Sequence, residues 1–276
     1  MKANLIEDAV DAALRVLRQR PSALISDVDG TLSPIVAEPE EAVVLPKCRS
    51  ALQALAGRLD LVAVISGRTA AEAHRMVDLD NLLYVGNHGL ERWDSAEGYQ
   101  NEAVAFEGEM RGLRQTLERE LHEIPGVRIE DKNVILSLHY RGASQPQAIR
   151  QEILGLLDRL LTTARFVVAE GKMVIEVRPP LKLDKGIVVE RLVEEHGLRG
   201  AVFLGDDVTD VDAMKALRRL RESGRGCLAI GVAGDEIPDG LVEESDLLLP
   251  GPPAVATFLE WLAYALSEPA VKPSAN

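Results

Sequence analysis

Short, unbroken aliphatic runs recur along this chain. Ala23-Leu24-Ile25, Leu61-Val62-Ala63-Val64-Ile65 and Leu82-Leu83-Tyr84-Val85 fall early, and Ala201-Val202-Phe203-Leu204, Leu228-Ala229-Ile230 and Leu247-Leu248-Leu249 fall late. Runs of this length without a polar break predict strands buried on both faces. Apolar residues at helical spacing mark Leu5 to Leu17, Pro46 to Leu59, Ala70 to Met76, Lys185 to His196 and Ala254 to about Ala265. Strand and helix in alternation predict an α/β fold with a doubly wound parallel sheet. Residues from Val271 onward carry no such pattern and are expected to be disordered.

The middle of the chain follows a different rule. Glu107 to Glu123 reads as a long charged helix. Val127 to Glu130 and Val134 to Tyr140 read as strands joined by a turn at Lys132-Asn133. A helix over Gln147 to Leu161 precedes strands at Phe166 to Val168 and Met173 to Val177, with Glu170-Gly171-Lys172 as the hairpin turn. Polar and apolar residues alternate in these strands, as in a sheet with one exposed face. The spacing predicts an α+β insertion over 107–178, set into a core formed by 1–106 and 179–276.

Chemistry gathers at the strand ends. Asp27-Val28-Asp29-Gly30-Thr31 follows the first aliphatic run, Ser66-Gly67-Arg68 the second, and Gly205-Asp206-Asp207-Val208-Thr209-Asp210 a late one. Buried carboxylates are costly without a cation or a proton, and the carboxyl ends of parallel strands are where ligands bind. Capping accounts for one Asp in each loop but not for the set. Phosphate monoester hydrolysis needs a nucleophile, an acid for the departing oxygen, and cations around the phosphoryl oxygens. Asp27 suits the nucleophile. Asp29 suits the acid and then the base, a task that requires a raised pKa. Mg²⁺ prefers hard oxygen donors; Asp27, the main-chain carbonyl of Asp29, and Asp206 form such a set, with Asp207 and Asp210 in support. Ser66 and Arg68 offer donors to a phosphoryl oxygen or another anion. Lys185 stands where a helix begins, opposing the helix dipole, which favours a phosphate or Asp27 as its partner.

Composition narrows the field. With 44 acidic and 31 basic residues the net charge is −13, which argues against nucleic acid or an anionic membrane as partner. Cys48 and Cys227 lack metal-ligand spacing and read as buried thiols. No run is long enough to span a bilayer, and no basic-then-apolar leader opens the chain, so a cytosolic protein is expected; a monomer is expected as well.

The motifs at Asp27, Ser66, Lys185 and Asp206, in this order, resemble the haloacid dehalogenase superfamily, whose commonest members are Mg-dependent phosphatases. Gly86-Asn87-His88-Gly89-Leu90-Glu91, Glu130-Asp131-Lys132, His139-Tyr140-Arg141, Gly171-Lys172 and Glu176-Val177-Arg178-Pro179 extend the likeness to the trehalose-6-phosphate phosphatase family, from about Leu24 to Leu262. The resemblance implies a haloacid-dehalogenase-like core with an inserted α+β cap. It also implies that Glu130, Lys132, Arg141, Lys172 and Glu176 hydrogen-bond the sugar, with Asn87 and His88 as further substrate contacts. Read without it, the same residues make an ordinary polar sheet face. The expected reaction is hydrolysis of trehalose 6-phosphate. The rivals are a phosphatase for sucrose phosphate or mannosylphosphoglycerate, a phospho-accepting signalling module, which needs neither Asp29 nor a sugar lid, and an inactive sugar-binding relative, which would not need both Asp27 and Asp29.

Overall fold

A computed structural model describes residues 2–36, 38–162, 165–171 and 173–267. The expected disordered stretch from Val271 lies outside the described residues. The chain divides into two compact units, one of Met1–Gln100 with Leu183–Asn276 and one of Asn101–Lys182.

The first unit begins with α1 (Lys2–Leu17), β1 (Ser22–Ser26), α2 (Pro46–Ala56), β2 (Leu61–Ile65), α3 (Ala70–Val77) and β3 (Leu83–Gly86). A hairpin of β4 (Glu91–Asp94) and β5 (Gly98–Asn101) follows. The chain leaves this unit for α4 (Glu107–Leu121), β6 (Arg128–Asp131), β7 (Leu136–His139), α5 (Pro146–Leu160), β8 (Val167–Gly171) and β9 (Val174–Arg178). It returns with α6 (Lys185–Glu195), β10 (Gly200–Gly205), α7 (Val208–Glu222), β11 (Gly226–Val232), α8 (Leu241–Glu244), β12 (Leu247–Leu249) and α9 (Pro252–Ser267).

The large sheet runs β12-β11-β10-β1-β2-β3-β4-β5. Strands β12 to β3 in that order are parallel, and β4 joins β3 antiparallel. Every residue of β1 is buried, and alternation sends its side chains to opposite faces. Leu24 joins the cluster of α1, α2, α3 and α9, with Leu17, Leu52, Leu55 and Phe258. Ala23 and Ile25 join α6 and α7, with Val189, Leu192 and Leu217. Burying one such aliphatic side chain contributes about 1.5–3 kcal/mol. From β1 the chain moves outward through β2 and β3, and it later returns on the other side through β10 and β11. The order therefore reverses at β1, and a crevice opens beyond its carboxyl end.

The second unit is a four-stranded antiparallel sheet, β6-β7-β9-β8. One face packs Leu136, Leu138, Ile175 and Val177 under Met110, Leu113 and Leu117 of α4 and Ile153 and Leu157 of α5. The last hairpin differs from the sequence reading. Strand β8 continues through Gly171, and the reversal falls at Met173, whose φ is +65°. No described helix is long and apolar enough to cross a membrane.

Candidate active site

The loop after β1 places its carboxylates by backbone geometry. The Asp27 amide still pairs with the Leu204 carbonyl at 2.9 Å, so Asp27 continues the strand. Gly30 then turns with φ +80°, and a Cβ there would sit 2.0 Å from Asp206 Oδ2. Only glycine lets the loop lie this close to the tip of β10. Thr31 Oγ1 donates to Asp206 Oδ1 at 2.9 Å, which locks the two loops together.

Lys185 opens α6, whose N-cap is Asp184, accepting from the Ile187 amide at 2.8 Å. Its ammonium is buried and donates to Asp27 Oδ1 at 2.7 Å and to Asp210 Oδ1 at 2.6 Å. Asp210 is in turn fixed by the amides of Asp206 and Asp207, at 3.0 and 2.9 Å on Oδ2. Asp207 faces outward and caps α7, accepting from the Val208 amide at 2.7 Å. Of the two residues expected to support a metal, Asp210 therefore lies inside the cluster as the partner of Lys185, and Asp207 serves the helix.

Asp27, Asp206 and Asp210 each present a carboxylate oxygen, all within 4.8 Å of one another. Burial pushes the Asp27 carboxyl well above the ordinary range, and Asp210 and Asp206 add to this against the pull of Lys185. Burial and the Asp210 charge push Asp206 up to about 7. Burial alone would lower Lys185, but the charges of Asp210 and Asp27 outweigh it and hold its pKa up. Lys185 is divided between Asp27 and Asp210, and Asp206 receives a hydroxyl. The Asp27–Asp206 side of the cluster is thus an array of hard, buried oxygens short of positive charge. That donor set fits a divalent cation of the Mg²⁺ type.

Asp29 faces Arg68, which grips its carboxylate through Nε at 2.6 Å and Nη2 at 2.8 Å, a two-pronged pair. Sequence reasoning offered Arg68 to the substrate; here its fork is on Asp29. Ser66 is buried at the end of β2, and its Oγ accepts from the Arg68 amide at 3.1 Å. The same loop is clamped from above by Asn87 and His88. Their amides donate to the Arg68 and Ser66 carbonyls at 2.7 and 3.2 Å, and the His88 ring lies against Gly67. Both residues have positive φ, +48° and +56°, a costly conformation for residues with a Cβ. Glu91, buried in β4, holds it in place. Glu91 accepts from Asn87 Nδ2 and from the Ala70 amide, both at 2.9 Å. Glu91 was legible only as one letter of a motif; a buried carboxylate aimed at a helix N-terminus is its signal.

In the second unit, the face of the sheet away from its helices is polar. Glu130, Ser137 and Glu176 stand in one cross-strand row. Glu130 takes a 2.7 Å bond from His139 Nε2, and this bond foremost holds its carboxyl below the usual range. Glu176 is held by Ser137 Oγ at 3.1 Å, by Arg178, and by Lys132 Nζ at 3.8 Å. Arg141 is exposed in the turn after β7. Lys172 lies outside the described residues. Ser137, His139 and Arg178 belong to this face; His139 and Arg178 were legible only as letters of the cap motifs and Ser137 went unmarked, and their place in the alternating register is the signal.

A parallel core with an acidic switch-point loop and a buried lysine defines a class. The fold is that of the haloacid-dehalogenase-like hydrolases: one such protein from Bacteroides thetaiotaomicron superposes with TM-score 0.62 at 12% identity, covering 88% of this chain and 100% of its own. The C-terminal domain of Candida albicans trehalose-6-phosphate phosphatase superposes with TM-score 0.72 at 24% identity, covering 94% of this chain and 96% of its own. The family model described as Trehalose-phosphatase matches residues 25–234, and the chain belongs to that family. Trehalose-phosphate phosphatase B of Arabidopsis thaliana is 28% identical over 276 residues, 94% of this chain and 70% of the relative. An uncharacterized glycosyl hydrolase of Mycobacterium tuberculosis is 35% identical over 214 residues. That match takes in 74% of this chain and only 16% of the mycobacterial protein's length.

Proposed function

We propose that this protein hydrolyses trehalose 6-phosphate to trehalose and orthophosphate. The observation that carries the reading is the buried Asp27–Lys185–Asp210 array at the switch point, in a chain of the trehalose-phosphatase family. Asp27 Oδ attacks phosphorus, the bond to the sugar oxygen breaks, and an aspartyl phosphate forms. Asp29, once it has taken up a proton and left the Arg68 fork, gives that proton to the departing oxygen, then takes one from the water that cleaves the acyl phosphate. Lys185 neutralises Asp27 and the phosphoryl group, and Asp210 holds Lys185 in place. Ser66 hydrogen-bonds a phosphoryl oxygen. Arg68 pairs with Asp29 and would bind the same anion.

Asp27, the Asp29 carbonyl and Asp206 would hold Mg²⁺, with Asp210 completing the acidic surround and Thr31 orienting Asp206. The bound ion would supply positive charge to the phosphoryl oxygens and keep Asp27 ionised. The residues 101–182 would act as a cap. Its polar sheet face, with Glu130, Lys132 and Glu176 together with Arg141 and Lys172, would bind the sugar hydroxyls. Asn87 and His88 would contact the substrate from the core.

Phosphate release from a panel of disaccharide and monosaccharide phosphates, with and without chelator, tests the proposal. Turnover of trehalose 6-phosphate well above sucrose phosphate and glucose 6-phosphate, lost on chelation, is expected. Equal rates across the panel would overturn the substrate assignment.

A further inference from the structure

Beside the catalytic loop, and wholly within the first unit, lies a cavity of about 400 Å³. Its wall carries three guanidinium groups, Arg49 of α2, Arg68 and Arg75 of α3, with Glu40, Ala42, Val43 and Met76 completing the lining. None of Asp27, Lys185, Asp206 or Asp210 borders it. We propose that this cavity is a binding site for a tetrahedral oxyanion of the phosphate class.

The case rests on a surplus of donors. Each guanidinium offers five N–H groups in a fixed fork. Arg49 gives Nη2 to the Met76 carbonyl at 3.1 Å and stands 3.9 Å from Asp78, an exposed carboxylate too distant for a hydrogen bond. Its Nε is buried and meets no acceptor, so nothing in the protein offsets its loss of water. The Arg75 side chain makes no hydrogen bond or ion pair among the described residues. Glu40 is the acidic residue on the wall. In a chain of net charge −13, Arg49 and Arg75, left short of acceptors on one cavity wall beside Arg68, are set for an anion with several oxygens. Each guanidinium fork binds two oxygens of a carboxylate or phosphate, and more than one fork around a single space suits the anion with more oxygens. Arg68 also reaches Asp29 from this wall, so an occupant shares a cation with the acid–base residue.

Calorimetric titration of inorganic phosphate into the full chain, and into the R49Q/R75Q variant, tests the site. The expected result is a phosphate-binding event in the wild-type protein that weakens about tenfold or more in the variant, a difference of about 1.4 kcal/mol. Superposable isotherms would overturn the proposal. R75Q alone, at an exposed side chain, covers the case in which the double variant fails to fold, and it should weaken the same event. A second measurement needs no variant: phosphate should shield Arg49 and Arg75 of the wild-type protein from phenylglyoxal, detected by peptide mass analysis. Equal modification of both with and without phosphate would refute the site.

Discussion

Replacing Lys185 by methionine removes the cation and keeps most of the side-chain volume. The ammonium is 2% exposed, and its partners Asp27 and Asp210 are 6% and 0% exposed. Water cannot replace it at such positions. Breaking a buried pair by deleting one partner costs about 3–5 kcal/mol, and here one deletion strips two carboxylates. The size of the loss should depend on pH. Without Lys185 the folded cluster retains protons that the unfolded chain has already released, since an unfolded Asp titrates near its ordinary value. The folded state then binds more protons between about pH 4 and neutrality, so stability falls as pH rises through that window. Urea unfolding of K185M at pH 5 and pH 8 should therefore show the larger deficit at pH 8. K185M/D210N should recover part of that deficit, because one uncompensated charge is gone. A deficit below about 1 kcal/mol, or one identical at both pH values, would refute this account of a charged, buried network.

Three further outcomes follow from the geometry. Asp206, raised to about 7 from an ordinary 3.8, binds a proton in the folded, metal-free protein that it loses on unfolding. The melting temperature of chelated protein should thus fall from pH 5 to pH 8, with Mg²⁺ reversing the fall; a flat profile counts against the assignment of Asp206. G30A would push a Cβ into Asp206 at a positive φ, so chelator-sensitive turnover should collapse even where circular dichroism stays native. D29N should slow trehalose 6-phosphate hydrolysis by about 10²–10⁴-fold and an activated aryl phosphate far less, since a good leaving group needs little protonation; equal losses on both would remove Asp29 from the acid role or show that the water step, which it also serves, limits both.

The central strands were legible because both of their faces are buried, so Ala23-Leu24-Ile25 and Leu61 to Ile65 carry no polar residue to confuse the pattern. The β4–β5 hairpin was not. Glu91–Asp94 and Gly98–Asn101 are polar edge strands, and Asp94 turns them by accepting from the Ala96 and Glu97 amides at 2.9 and 2.7 Å. The helix Val208–Glu222 was overshadowed by its acidic tip. Val211, Met214, Leu217 and Leu220, all buried, recur at helical spacing and are the signal that finds it. Among the site residues, the carboxylates declared themselves by position after aliphatic runs. Their partners did not, because Lys185 to Asp210 and Arg68 to Asp29 are pairings of tertiary structure.

The nucleophile candidate and its lysine are 158 positions apart, and β1 pairs Ser22 with Gly200. During synthesis at about 5–20 residues per second, Asp27 emerges roughly 10–30 s before the cation that balances it. For that interval a strand buried along its whole length in the folded protein has an open edge where β10 will dock, and its terminal carboxylate has no reason to leave water. The charged tip thus acts as a temporal solubiliser. It keeps the apolar β1 edge hydrated in the nascent chain, and it becomes compatible with burial only after the segment bearing Lys185 has been made.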